Sequence, residues 1–200
     1  MLKKFKALNF KTIGIKPIGS GGRLINDKIY NEDALRLQEH ASIHLEYDVI
    51  NPVSFLPPVS PNIGAKLSNT RLTAESIYRK LENTLNNKDY EICIIEGTGG
   101  WHSPLNSTET MADLVYKLNI PIILIIGIRL GCLNHSILTY QAIKNKNLII
   151  KGWIANCIHL ETKEKDLNIQ TLKQHIKAPC LGIINHNQRP EEALDITALL

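Results

Sequence analysis

Ile92-Cys93-Ile94-Ile95-Glu96-Gly97-Thr98-Gly99-Gly100-Trp101 decides how this chain is read. Four apolar residues in a row suit a strand covered on both faces. The carboxylate that closes the run, followed by glycines, marks the carboxyl edge of a parallel sheet, where α/β proteins place their ligands. Gly97, Gly99 and Gly100 carry no side chain, so the backbone N–H groups of the turn can come close to an anion. A glutamate at that edge has few packing roles, and a Mg²⁺ ligand is a natural one for Glu96. Nowhere in the 200 residues does GxxxxGK[ST] occur. The chain therefore reads as a phosphate-handling enzyme without its phosphate loop.

Strands and helices alternate on either side of that stretch. Residues 12–16 predict a short β-branched strand, and KPIGSGG (16–22) a turn by composition. Asn31 can cap a helix through Ala34, Leu35 and Leu37. Four prolines between Asn51 and Pro61 predict an irregular loop. Ala74, Ile77, Tyr78, Leu81 and Leu85 recur at helical spacing. A regular series follows: strand 91–96, helix Met111–Leu118, strand 121–127 buried on both faces, helix 134–144, strand 148–155, helix 163–176 and strand Cys180–Ile184. Continuous apolar strands separated by helices specify an α/β fold, a mostly parallel sheet with helices on both faces. Length and the lack of a linker favour a single domain over residues 1–200.

Composition narrows the function classes. A net charge of +4 with scattered lysines gives no footprint for nucleic acid. No apolar run is long enough for a membrane span. Cys93, Cys132, Cys157 and Cys180 are far apart, without a CxxC pair, and read as small apolar filler in a reducing cytoplasm.

The remaining candidates gather at strand ends. Lys16 closes its strand beside Ser20, Gly21 and Gly22, where an ammonium, a hydroxyl and free amides could meet a ligand; an ordinary surface turn is the plain alternative. Asp33 lies in a helix's first turn, where the dipole alone would favour it. RLGCLNH (129–135) opens a helix whose free N–H groups suit a carboxylate, or is a plain connection capped by Asn134. Asn156 ends GWIAN, where it could read a base or ribose or simply form a turn.

Taken together, KPIGSG (16–21), NEDALRLQ (31–38), NPVSFLPPVSP (51–61), EGTGGWHSPL (96–105), RLGCLNH (129–135) and GWIAN (152–156) resemble the dethiobiotin synthetases, in order and over nearly the whole chain. The resemblance implies a P-loop NTPase-like fold. It implies an ATP-dependent ligase of biotin biosynthesis, which joins 7,8-diaminononanoate and CO2 through a carbamate and a carbamic–phosphoric anhydride. By the same resemblance Asp33 and Glu96 hold Mg²⁺, Lys16 meets the phosphoryl and carbamate, and Ser20 lies at the carbamate. Gly97, Thr98, Gly99 and Gly100 border the ligands, and Asn156 recognises adenine. Gly131, Cys132, Leu133 and Asn134 take the substrate's carboxylate tail at a homodimer interface.

Two departures accompany the likeness. The family opens with a strand, a GTDTxVGKT-type loop and a helix, whereas Met1-Leu2-Lys3-Lys4-Phe5 aligns with the later part of that helix. The expectation is a sheet without its first, central strand, whose neighbours keep open edges, and impaired turnover. Unpaired buried backbone groups cost about 1–3 kcal/mol each, against a total stability of about 5–15 kcal/mol. At the other end Ile183-Ile184-Asn185-His186-Asn187 replaces the family's proline-containing adenine-side loop, which leaves nucleotide choice open. Two alternatives stand beside the ligase: a catalytically inactive binding or dimerising relative, and another P-loop-like α/β ATPase.

Overall fold

Apolar runs form the strands and amphipathic segments the helices that cover them. The computed structural model describes residues 1–160 and 164–200. They fall into two compact units, Met1–Leu118 and Asn119–Leu200.

The first unit runs α1 (Leu2–Ala7), β1 (Thr12–Ile15), β2 (Ile18–Ser20), β3 (Arg23–Ile25), β4 (Lys28–Tyr30), α2 (Glu32–His40), α3 (Tyr47–Ile50), β5 (Val53–Phe55), α4 (Pro61–Leu67), α5 (Ala74–Asn86), β6 (Ile92–Ile95) and α6 (Met111–Leu118). Strand β1 pairs in parallel with β6, Thr12 opposite Ile92 and Ile15 opposite Ile95. That register sets the next residues, Lys16 and Glu96, side by side at the carboxyl edge. Its core joins Ile13, Ile15 and Ile18 to Ile77 and Leu81 of α5 and Leu114 of α6. Ile77 and Leu81 are fully buried, each contributing about 1.5–3 kcal/mol on transfer from water. Helix α5 starts with a reciprocal cap between Thr73 and Ser76, which satisfies two of its free N–H groups.

Two sequence expectations are corrected in this unit. KPIGSGG is not all turn: β2 occupies Ile18–Ser20 and pairs in parallel with β5. Residues 51–61 are not an irregular loop throughout, because β5 lies within them and Pro61 opens α4. Proline is tolerated at a helix's first turn, where its missing N–H would have no partner. The β3–β4 hairpin also went unread; Asn26 and Asp27 turn it with φ of 48° and 60°, the left-handed pair that a two-residue hairpin turn requires.

The second unit runs β7 (Ile122–Gly127), α7 (Cys132–Asn145), β8 (Ile150–Asn156), α8 (Lys165–His175), β9 (Cys180–Ile184), α9 (Pro190–Ala193) and a final tight turn at Thr197–Leu199. Its three strands are parallel in the order β7-β8-β9, around a core containing Ile126, Trp153, Ile169 and Leu172. Strand β7 is not buried on both faces: Ile125 is 62% exposed. The physical reason is its place at a sheet edge, paired with β8 alone among the described residues. In the first unit β6, among the described residues, likewise pairs only with β1. Helix α7 begins two residues earlier than expected, and its N-cap is Gly131, so Asn134 lies inside the first turn. Residue 163, the expected start of α8, lies outside the described residues.

Candidate functional site

The first unit brings three of the predicted residues into contact. Lys16 is only 4% exposed. Its ammonium lies 2.7 Å from Glu96 Oε1 and 2.9 Å from Asp33 Oδ2. It also donates to the Gly97 carbonyl at 3.1 Å. The contact has a local cause on each side. After Ile15 the chain leaves its partner β6, and Lys16 N–H donates instead to the Ile50 carbonyl at 2.8 Å. Pro17, which has no N–H to give, sits at that crossing. Asp33 arrives from the first turn of α2, which Asn31 caps by accepting from Ala34 N–H at 3.2 Å.

The glycine turn is pinned onto the same segment. Thr98 Oγ1 donates a short hydrogen bond to the Ile18 carbonyl. Gly99 and Gly100 adopt φ of 75° and 111°, backbone that side chains disfavour. Among the described residues the N–H groups of Gly97 to Gly100 have no protein acceptor. Ser20 Oγ and Trp101 Nε1 are buried and likewise have no protein partner among the described residues. A buried polar group left unpaired costs about 1–3 kcal/mol, and a ligand with matching atoms would recover it.

Asp33 and Glu96 also fit a hard dication. Their side chains are 50% and 46% exposed. Each gives one oxygen to Lys16, and the other, Asp33 Oδ1 and Glu96 Oε2, accepts no protein hydrogen bond among the described residues. Mg²⁺ is commonly held by one or two carboxylates, with water and phosphate oxygens completing its shell. No group of three or more His, Cys, Asp or Glu gathers among the described residues.

The other predicted residues lie in the second unit. Asn156 ends β8 opposite Gly127, the last residue of β7, and its carbonyl accepts from Ile128 N–H at 2.8 Å. Gly131, Cys132, Leu133 and Asn134 form the cap and first turn of α7, so both groups stand at the carboxyl edge of this sheet. In the departing C-terminal loop, Asn185 accepts from Lys165 at 3.0 Å, and a His186 ring nitrogen lies 3.0 Å from the Ile158 carbonyl.

Sequence reasoning missed the polar residues beneath Lys16. Asn51 and Tyr47 are 4% and 6% exposed, and Asn51 donates to the Lys16 carbonyl at 2.7 Å. An asparagine before a proline reads as a turn former, so the only signal in the sequence pointed elsewhere. The cysteines are all free. Burial pushes the Cys93 thiol up to about 12, which makes it an inert packing group.

Parallel strands, covering helices and a charged carboxyl edge define an α/β fold, and the family model described as "AAA domain" matches residues 5–193. The fold is thus that of a P-loop NTPase-like α/β protein. The chain is 37% identical to an ATP-dependent dethiobiotin synthetase of Aeromonas hydrophila, covering 100% of this chain and 90% of the relative. It is 40% identical to the enzyme of that name from Wigglesworthia glossinidia brevipalpis over 92% of this chain and 81% of the relative. Against that of Escherichia coli O157:H7 it is 36% identical over 91% and 80%. The chain belongs to the ATP-dependent dethiobiotin synthetase family.

Proposed function

We propose that this chain catalyses ATP-dependent closure of the ureido ring of dethiobiotin from 7,8-diaminononanoate and CO2, in the cytoplasm and as a homodimer. One amine attacks CO2 and loses a proton, giving a carbamate. A carbamate oxygen takes the γ-phosphoryl of ATP and ADP departs, leaving a carbamic–phosphoric anhydride. The second amine attacks the carbonyl carbon, phosphate leaves, and the ring closes. Such transfers depend on positioning and on groups that offset developing negative charge.

One observation carries the reading: a buried ammonium, Lys16, fixed between two carboxylates in the same short segment as the unpaired Ser20 hydroxyl. In this role Lys16 offsets charge on the carbamate and phosphoryl oxygens, and Ser20 donates to the carbamate. The free N–H groups of Gly97 to Gly100 face the anionic ligands. Asn156 reads adenine, and the first turn of α7, Gly131 to Asn134, receives the substrate carboxylate with the partner subunit. Asp33 and Glu96 would hold Mg²⁺. When bound, Mg²⁺ supplies charge neutralisation at the phosphate oxygens.

The test supplies diaminononanoate and carbon-13 bicarbonate to the purified protein with Mg²⁺, with and without ATP, and follows the carbamate and ureido carbons by NMR. The expected result is a protein-dependent carbamate signal and an ATP-dependent ureido signal. Carbamate without ring closure would refute ligation and leave a binding protein. Neither signal would overturn the whole reading.

A further inference from the structure

A buried hydrogen-bond network underlies three of the site residues. Asn51 uses its whole amide: its N–H groups donate to the Lys16 and Val53 carbonyls at 2.7 and 3.0 Å. Its oxygen accepts from the Tyr47 hydroxyl at 2.9 Å and from Ser54 Oγ at 2.5 Å. The Tyr47 hydroxyl in turn accepts from the Asn31 backbone N–H at 2.6 Å. Asn31 spans the remaining gap. Its side-chain N–H donates to the Ser20 carbonyl at 3.0 Å, while its oxygen caps α2 at Ala34. Asn31, Tyr47 and Asn51 are each no more than 6% exposed. Gly19 lies against them, and a Cβ there would come within 2.8 Å of both Asn31 Cβ and Asn51 Oδ1.

Burying so many polar atoms gains little stability over an apolar core of the same shape. What it does gain is fixed geometry, because every donor and acceptor has one partner arrangement. The network ends on the carbonyls of Lys16 and Ser20 and on the cap of the helix that carries Asp33.

We propose that Tyr47, Asn31 and Asn51 are positioning residues, holding Lys16 and Ser20 so that both address the same carbamate, with the metal-binding carboxylate Asp33 fixed beside them. The proposal rests on the carbamate-activating reading of the site. Tyr47 is the joint: its hydroxyl connects the half that holds Lys16 to the half that holds Ser20 and α2. Its ring packs on Tyr30, centroids 4.7 Å apart, a contact that does not use the hydroxyl.

Tyr47→Phe is compared with Ile77→Val, a core change of similar expected cost outside the network. Two readouts are taken: amide hydrogen exchange by peptide, and ring-closure kinetics. Tyr47→Phe is expected to speed exchange in segments 16–21 and 31–34 together, by roughly fivefold, and to leave β7 to β9 unchanged. It is expected to lower kcat/KM by roughly 10- to 100-fold, while Ile77→Val changes kcat/KM by less than about twofold. Combining Tyr47→Phe with Ser20→Ala should then add little further loss, since both act on the same contact.

Equal kcat/KM for the two single variants would overturn the proposal, as would faster exchange in only one of the two segments. Wild-type protein without ring closure would refute the functional reading instead, and exchange would still decide whether Tyr47 joins the two segments.

Discussion

Removing the charge of Glu96 tests the contact on which the site is built. In Glu96→Gln the amide oxygen can still accept from Lys16 at the 2.7 Å position, so shape is kept and charge is lost. Breaking a fully buried ion pair costs about 3–5 kcal/mol, whereas an exposed pair contributes about 0–1 kcal/mol. This pair lies between those limits: the Lys16 side chain is 6% exposed and that of Glu96 46%. Lys16 also keeps Asp33 and the Gly97 carbonyl as partners. The expected coupling energy is therefore about 1–2 kcal/mol. It is measured by urea unfolding of wild type, Lys16→Met, Glu96→Gln and the double variant, as a double-mutant cycle. Glu96→Gln alone should melt about 2–8 °C lower. Additivity within about 0.3 kcal/mol would show that the two charges do not act on one another and would refute the reasoning.

Three more outcomes are expected. Gly19→Ala should destabilise by about 1–3 kcal/mol, since the added methyl meets Asn31 and Asn51 at 2.8 Å; a melting temperature equal to wild type would contradict the close packing. Burial holds the Cys93 thiol protonated up to about 12, against 9.0 in the unfolded chain. Its contribution is therefore complete below pH 9 and is lost as pH rises from 9 toward 12, a loss that Cys93→Val should remove from the alkaline unfolding profile. Glu75 is held below its ordinary 4.5 by the Lys117 hydrogen bond and then by Arg79. That contribution is present above pH 4.5 and fades as pH falls below it, so Glu75→Gln should flatten the acid limb slightly, the pair being exposed.

The parts of the fold that were legible are those where one period runs uninterrupted. Ile92–Ile95 and Cys180–Ile184 are continuous apolar runs, and Met111–Leu118 and the α5 segment keep helical spacing. Strands β2 and β5 escaped because each has three residues and is flanked by glycine or proline, and their pairing joins segments 35 residues apart in sequence. The exposed side of β7 escaped because periodicity shows that a strand is apolar, not that it sits at an edge. At the site, Lys16, Asp33 and Glu96 could be picked out as strand-end or helix-start groups, and the parallel register of β1 and β6 brings two of them together. Asn31 was legible as a cap but not as the tie to Ser20, and Tyr47 and Asn51 were not legible at all. Their roles depend on a tertiary meeting of three segments that no local pattern encodes.

The decisive step of the proposed function is phosphoryl transfer to a carbamate oxygen at this rim. It is tested most directly with oxygen-18-labelled CO2, mixed rapidly with diaminononanoate, ATP and the protein before the label exchanges with water. Label is expected to pass from CO2 into the released inorganic phosphate in step with dethiobiotin. Phosphate released without label while dethiobiotin forms would contradict it.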